Sequence, residues 1–371
     1  MEFFAHKSEL LDELDLLQGA VEKKSTVPIL SHFLLDAADF KLQIAATDLE
    51  LAARSSCTAK VKASGQATVP ARRLVEIIRS LPDGEVHFKL LENRWVQVTC
   101  QRSSFKLVGL GTDNFPALPA NAKPAVTLPA EVLAGLIDRT AFAVSQDESR
   151  YTLNGALLLL KPESVAMVAT DGHRLPLAER RHAVSGVNAE LRILIPNKAL
   201  GALRRLLRES GAEANVDIAK NDSHLFFSIG GRLLISRQLT GQFPNYEAVL
   251  PRENDKVVEF DGELVAAAIR RVALLADERS QALRLQLEQG RLEISSSGGD
   301  YGEAHEVLDL AYAGPGLRIG FNYQYLLDFF GAVGKNGTVR MELKDEQSAV
   351  QFCPAERDSY RYRYVVMPLR I

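Results

Sequence analysis

The stretch VAMVATDGHRLPLAER, Val165–Arg180, decides how the rest of the chain is read. Val165, Met167, Val168 and Ala169 form an apolar run of the length of a buried strand. Thr170-Asp171-Gly172 then turns the chain, with Asp accepting local backbone N–H groups and Gly supplying a positive φ. Leu175, Leu177 and Ala178 resume an outgoing strand. A hairpin with Asp at its corner is common on its own. This chain repeats it.

Working outward, the repeats share more than the turn. Asp48, Asp171 and Asp300 stand at three hairpins, 123 and 129 residues apart. Pro70, Pro196 and Asn322 precede a second helix in each copy, at spacings of 126 and 126. Phe115-Pro116 and Phe243-Pro244 close the first two copies, and Met367-Pro368 ends the third. A period near 126 is too long for a solenoid unit of about 20–50 residues. It reads instead as three domains of one kind, antiparallel sheets with two helices on one side of each. Three equivalent domains in a row imply a repeated rotation, and hence a ring or a helix.

Within the first copy, Glu2–Ala5 is a strand and Leu10, Leu11, Leu14, Leu17 and Val21 have helical spacing. Strands follow at Ile29–Ala37, Phe40–Ala46, Leu49–Cys57 and Ala67–Val69. Pro70-Ala71-Arg72-Arg73 opens a helix over Leu74–Ser80, with Leu74, Ile77 and Ile78 inward. Val86–Leu91, Trp95–Thr99 and Phe105–Leu110 complete the unit. The second copy has a strand ending at Leu128, a helix Glu131–Val144, strands from Asn154 onward, a helix Lys198–Arg208, and strands Leu225–Ser228 and Leu233–Leu239. The third runs from Lys256–Phe260 through helix Asp261–Leu275, strands Ala282–Leu287 and Arg291–Ser297, and helix Tyr323–Val333. Strands Thr338–Leu343, Ala349–Cys353 and Tyr362–Met367 finish it.

Composition limits the classes of function. The 371 residues are 46% hydrophobic and 25% charged, ordinary globular material. A net charge of −3 gives no global sign of a nucleic-acid partner. Cys57, Cys100 and Cys353 lack C-x-x-C spacing, which suits a reducing compartment without disulfides or a zinc knuckle. No signal peptide is expected, because acidic residues precede any apolar core segment, and no run approaches 18 apolar residues. The expectation is a cytoplasmic chain.

At this point the residues match a known family. Thr26-Val27-Pro28-Ile29-Leu30, Ala46-Thr47-Asp48-Leu49-Glu50, Val69-Pro70-Ala71-Arg72, Leu153-Asn154-Gly155, Ala169–Leu175, Phe243–Tyr246, Gly320-Phe321-Asn322 and the tail Tyr364–Ile371 resemble the bacterial DNA polymerase III β subunit, the processivity sliding clamp. They span the chain in family order. The resemblance implies an α+β fold of three tandem clamp domains, 1–122, 123–251 and 252–371, and a head-to-tail homodimer forming a six-domain ring. Such a ring encircles double-stranded DNA without reading sequence and tethers its partners by topology. It needs no cofactor, metal or catalytic residue, and places the chain in the cytoplasm at the nucleoid.

The resemblance also assigns sites. Lys24, Arg72, Gln146, Tyr151 and Lys198 become candidate DNA contacts, with Thr152 where many members carry a second tyrosine. Charge supports this in part. The helices after Pro70 and Pro196 carry Arg72, Arg73 and Arg79, and Lys198, Arg204, Arg205 and Arg208, although a basic helix face is often merely solvated. The first helix is acidic instead and the third copy's helices balance near zero, so the acidic surplus is expected elsewhere, which would suit an outer surface that repels DNA. A peptide groove is implied, lined by Leu153, Thr170, Gly172, His173, Arg174, Leu175, Pro244, Val249, Asn322, Tyr325, Val365, Val366, Met367, Pro368, Leu369, Arg370 and Ile371. It would receive short extended peptides from the polymerase III α subunit, the clamp loader, other polymerases and repair proteins. Read from residues alone, the tail is equally an edge strand finishing a sheet. Ala248 replaces a basic residue of the family and Ser280 an aromatic one. For the ring contact, Phe105 and Leu107 match one face and Leu274 and Leu275 the other, with Arg102 against Asp300 or Glu303 at the rim.

Two other classes compete. An enzyme would use Asp171, His173 and Arg174 as base and anion clamp. The hairpin at Asp48 carries Leu49 and Glu50 instead, so turn chemistry explains the shared Asp better. No phosphate loop, nucleophile elbow or dinucleotide fingerprint occurs. A scaffold that binds only protein would keep the groove and lose the DNA.

Overall fold

The computed structural model describes residues 1–22, 26–211, 213–298, 302–334, 337–356 and 359–370. It forms two compact units, residues 1–134 with 198–238, and residues 135–197 with 239–371. Six α-helices occur among the described residues, two to each third of the chain: α1 Lys7–Leu17, α2 Ala71–Ser80, α3 Ala130–Thr140, α4 Asn197–Glu209, α5 Gly262–Val272 and α6 Tyr323–Val333.

Each third repeats one order of elements: a strand, a helix, a set of strands, a helix and three strands. The first unit holds an eight-stranded antiparallel sheet. Its order is Val126–Pro129, Asn215–Lys220, His224–Ile229, Arg232–Arg237, Leu51–Thr58, Lys41–Thr47, His32–Ala38 and Gly65–Pro70. The second unit holds its counterpart, in the order Leu191–Pro196, Gly155–Lys161, Ser164–Val168, Arg174–Arg181, Tyr360–Val366, Val350–Pro354, Thr338–Leu343 and Lys256–Asp261. In both, the last strand of one third pairs with a hairpin strand of the third before it. Two half-sheets remain. The first unit has a five-stranded sheet ending on Ser103–Val108, and the second a four-stranded sheet ending on Glu303–Asp309.

Capping and periodicity explain the helices. Asp261 accepts N–H bonds from Glu263 and Leu264 at the start of α5, and Asn322 accepts one from Gln324 at the start of α6. Pro70 occupies the N-cap of α2, while Pro196 lies one residue before Asn197, the first residue of α4. Leu10, Leu14 and Leu17 bury one stripe of α1. In the second unit Phe329 on α6 is fully buried and stacks on Tyr364 at 5.2 Å and Tyr362 at 5.5 Å.

Several elements differ from expectation. Pro28–Ser31 is a 3-10 turn, not the start of a strand. Pro28 fixes φ, and Ser31 Oγ and the His32 ring both bond the Pro28 carbonyl at 2.7 and 2.9 Å. On α2, Val75 is buried and Ile77 only half-buried. The helices expected to reach Val144 and Leu275 end at Thr140 and Val272 and continue as 3-10 turns. Val21 lies beyond α1. Two strands went unanticipated, Lys60–Ala63 and Asn215–Lys220, while Glu303–Asp309 is the outgoing arm of the hairpin expected near Asp300. The third hairpin corner, Asp300, lies outside the described residues.

Candidate functional site: an apolar groove with a pinned arginine wall

The candidate groove centres on the turn at Asp171. Thr170 Oγ1 donates to the Arg174 carbonyl at 2.7 Å and accepts from Gly172 N at 3.0 Å. Asp171 Oδ1 accepts from His173 N at 2.9 Å and Arg174 N at 3.1 Å. Gly172 has φ +91°, which a side chain would resist. Arg150 Nη1 donates to the Asp171 carbonyl at 3.2 Å, tying in the neighbouring turn Glu148–Leu153.

Arg174 is consumed by the structure around it. Its Nε donates to Asp171 Oδ2 at 2.9 Å, Nη1 to Asp328 Oδ2 at 2.5 Å and Nη2 to the Phe142 carbonyl at 2.8 Å. The guanidinium lies over the Tyr325 ring at 4.3 Å. Burial opposes its charge, yet the carboxylates of Asp328 and Asp171 outweigh that and raise its pKa. Burial likewise pushes the Tyr364 and Tyr325 phenols up, so both stay neutral, and Tyr364 Oη donates to the Tyr325 carbonyl at 2.9 Å. With its donors engaged, Arg174 forms a rigid wall and not an anion clamp. Asp171, similarly committed, is not placed as a base.

The tail closes the other side. Strand Tyr360–Val366 pairs with Arg174–Arg181, matching Leu175 with Val365 and Arg174 with Val366. Met367 N then donates to the His173 carbonyl at 2.9 Å, and Leu369 N crosses to the Gly320 carbonyl at 2.8 Å, beside the half-buried Asn322. Leu175 and Val365 join a core cluster with Leu157, Leu159, Ala166, Val168 and Tyr246, against which Phe243 and Leu250 pack.

The structure therefore sorts the expected groove residues. Met367 and Val249 are 42% and 45% exposed, large for apolar side chains, and Gly172, His173, Pro244 and Arg370 are open as well. Tyr325, Pro368, Leu369 and Leu153 are half-buried. Thr170, Leu175, Val365 and Val366 are buried, so of the expected groove residues they lie beneath the surface on which Met367 and Val249 are exposed. Ile371 lies outside the described residues. Ala248 and Ser280 are exposed. Sequence reading missed Arg150, Phe142, Asp328 and Tyr364. Only their contacts with the turn and with Arg174 reveal them.

The candidate DNA contacts divide between the units. In the second, Tyr151 is 56% exposed and Gln146 is open. Thr152 sits against Gly241, where an added Cβ would lie 2.7 Å from its Cγ2. In the first, Arg72 is exposed and bonds Glu76 at 2.9 Å. Lys198 Nζ stands 2.5 Å from Asp48 Oδ2 and 3.7 Å from Glu50. Lys24 lies outside the described residues. The acidic first helix holds arginines of neighbouring elements. Its Asp15 takes Arg79 at 2.7 Å and Arg205 through its carbonyl, and its Glu13 holds Arg232 at 2.7 Å.

The ring-contact candidates lie on the two unpaired edges or, for Leu274 and Leu275, in the 3-10 turn Ala273–Leu275 beside one of them. Phe105 and Leu107 alternate, half-buried, along Ser103–Val108, near the exposed Arg102. Leu274 is 82% exposed, Leu275 is half-buried, and Glu303 begins the Glu303–Asp309 edge.

Three domain descriptions match the chain in succession. The N-terminal, central and C-terminal domains of the DNA polymerase III beta subunit match residues 1–119, 127–245 and 247–370. The beta sliding clamps of Pseudomonas aeruginosa and Escherichia coli K12 are 35% and 34% identical, over the full length of each chain. A crystal structure of a sliding clamp from Bartonella birtlesii bound to griselimycin superposes over the whole of both chains, with a TM-score of 0.94 at 32% identity. With its three clamp domains in tandem, this chain belongs to the DNA polymerase III beta subunit family, the sliding clamps, which are non-catalytic processivity factors.

Proposed function

We infer that two copies of this chain join head to tail into a ring that encircles duplex DNA and tethers polymerases through the groove. One observation carries the reading. Two strands that end a repeat, Arg232–Arg237 and Tyr360–Val366, pair with the hairpin strands Leu51–Thr58 and Arg174–Arg181. The equivalent strands Ser103–Val108 and Glu303–Asp309 have one free side each among the described residues. A second copy supplies the missing partner to both, and closure pairs these two edges. Phe105, Leu107, Leu274 and Leu275 then bury apolar surface at that joint, with Arg102, Glu303 and Asp300 at its charged rim. Rim pairs of this kind contribute about 0–1 kcal/mol each and chiefly fix register.

Domain boundaries at 122/123 and 251/252 fit this reading, as does a cytoplasmic, nucleoid-associated location. DNA contacts at Lys24, Arg72, Gln146, Tyr151, Thr152 and Lys198 need only be weak, because enclosure holds the ring while phosphate contacts let it slide. The groove takes short extended peptides of the polymerase, the loader and repair proteins, with Met367 suited to varied partners by its flexible, polarizable side chain. Retention on a nicked circular plasmid tests the reading. A loaded ring co-elutes with the circle and is released when the circle is linearised. Release that ignores linearisation, or a stable monomer in solution, defeats it. Charge reversal at Arg72 and Lys198 is expected to slow loading while leaving the dimer mass unchanged.

A further inference from the structure

The two joints inside the chain fix a strand register that carries over to the open edges. Phe3, Val126 and Val258 each lie four residues before the first helix of their repeat. They pair with Phe88, Ile218 and Met341, and these in turn with Val98, Phe227 and Phe352. One strand further out stand Phe105, Leu234 and Tyr364, which are therefore equivalent. On the hairpin side, Lys41, Ser164 and Arg291 open the first strand, each paired with the last residue of the strand before it. Five residues on, Ala46, Ala169 and Ser296 face Ala53, Pro176 and Ala304.

Inside the chain these two sets meet. Leu234 stands opposite Ala53 and Tyr364 opposite Pro176, a large side chain over a short one each time. The open edges continue that rule, because Phe105 then falls opposite Ala304. Antiparallel from there, Ser104 meets His305, Ser103 meets Glu306 and, on the other side, Lys106 meets Glu303. A slip by one residue turns Phe105 to the wrong face, and a slip by two sets it against Glu306, whose carboxylate is held by Arg271. Beside the large residue the joints differ. Internally Ile235 faces Ala52 and Val365 faces Leu175, all apolar. Lys106 and Glu303 hold those places at the open edges, both exposed and neither ion-paired among the described residues. The Lys106 neighbour Gln97 is neutral and bonds Ser104, and Arg284 and His305 share a hollow with Glu303 without bonding it.

We propose that two copies of this chain join in this register, so that Lys106 pairs with the partner's Glu303 on the sheet face away from Phe105. Opposite charges directly across a strand pair attract, and like charges there repel, so the pair fixes which residues align while Phe105 supplies the apolar contact. The pairing rests on the ring reading given above. It gives Glu303 to Lys106 and leaves Arg102 opposite the partner's Val307, diagonal to the partner's Asp309.

Sedimentation equilibrium of the full chain at low salt measures the dimer Kd. Lys106→Glu and Glu303→Lys, each at an exposed site, are expected to raise it about tenfold or more, because like charges then stand opposite at both joints of the ring. Lys106→Glu combined with Glu303→Lys is expected to bring the Kd back to within about threefold of the unsubstituted chain. Arg102→Glu combined with Glu303→Lys has the same net charge, so a merely overall attraction between the edges would recover equally. It is expected to stay weak, since Arg102 does not face position 303. Single substitutions without effect, no recovery in the first combination, or equal or better recovery with Arg102 overturns the register and leaves the ring standing. An unsubstituted chain that stays monomeric overturns the ring reading and the register with it.

Discussion

The turns at Asp48 and Asp171 are the same device put to two uses. Each has Thr Oγ1 bonding the carbonyl four residues on, at 3.0 and 2.7 Å, and Asp Oδ1 accepting the next two available N–H groups. Each stands beside a strand arriving from the following repeat, with Arg237 N bonding the Glu50 carbonyl at 2.8 Å where Met367 N bonds that of His173. The difference lies in what fills equivalent places. Leu51 is buried where Arg174 makes its wall, and Ser236 and Arg237 stand where Val366 and Met367 stand. Backbone geometry was kept and side-chain chemistry changed. At the second joint the arriving strand leaves the apolar Met367 exposed where the first has Arg237.

The comparison can be broken most severely at Arg174. Arg174→Met strands Asp171 and Asp328 without their cation, and we expect a loss of about 3–5 kcal/mol in chemical denaturation, with peptide binding falling in parallel. A loss below about 1 kcal/mol would show that the wall is not held as described.

Met367→Lys probes the groove with the fold intact. Peptide affinity is expected to drop more than about tenfold while stability moves by less than about 0.5 kcal/mol, read by titration and melting. The reciprocal change Arg237→Met is expected to create no peptide binding, because Leu51 leaves the first joint without an open wall.

The two turns also differ at one backbone position. Leu49 adopts φ +78° with a side chain 57% exposed, where the second turn has Gly172. Leucine is strained there. Leu49→Gly is therefore expected to be neutral or to stabilise by up to about 1 kcal/mol, and Gly172→Ala to destabilise by about 1 kcal/mol. Matched melts of the two variants check the sign.

The smallest effect concerns Lys198. Asp48→Asn keeps the Oδ1 acceptor but removes the carboxylate that holds Lys198, costing about 0.5–1 kcal/mol. The freed ammonium is expected to steepen the salt dependence of association with duplex DNA by about one phosphate contact. An unchanged slope in a salt titration counts against a DNA role for Lys198.

Local signals made much of this legible. Thr-Asp followed by a positive-φ residue writes its own turn, since Asp and Thr side chains satisfy the backbone groups beside them. The helices at Ala71 and Tyr323 show their starts through Pro70 and Asn322. The bounds of Glu303–Asp309 did not show themselves, because an edge strand with alternating polar residues carries little apolar signal. Nor could the tail declare which of its side chains were surface. Val365 and Met367 point to the same face, and only Tyr246 and Leu250 lying over one end make the first floor and leave the second exposed.

The sequence by itself determined the threefold repeat, the Asp turns and the family, because these rest on contacts between residues close in the chain and on motifs preserved in order. Tertiary structure alone decided that Arg174 is held between Asp171 and Asp328, and that Asp15 and Glu13 of an acidic helix restrain the arginines of its neighbours. Each depends on residues brought together from distant points of the chain. Burial and pairing arise there from packing, which no local pattern encodes.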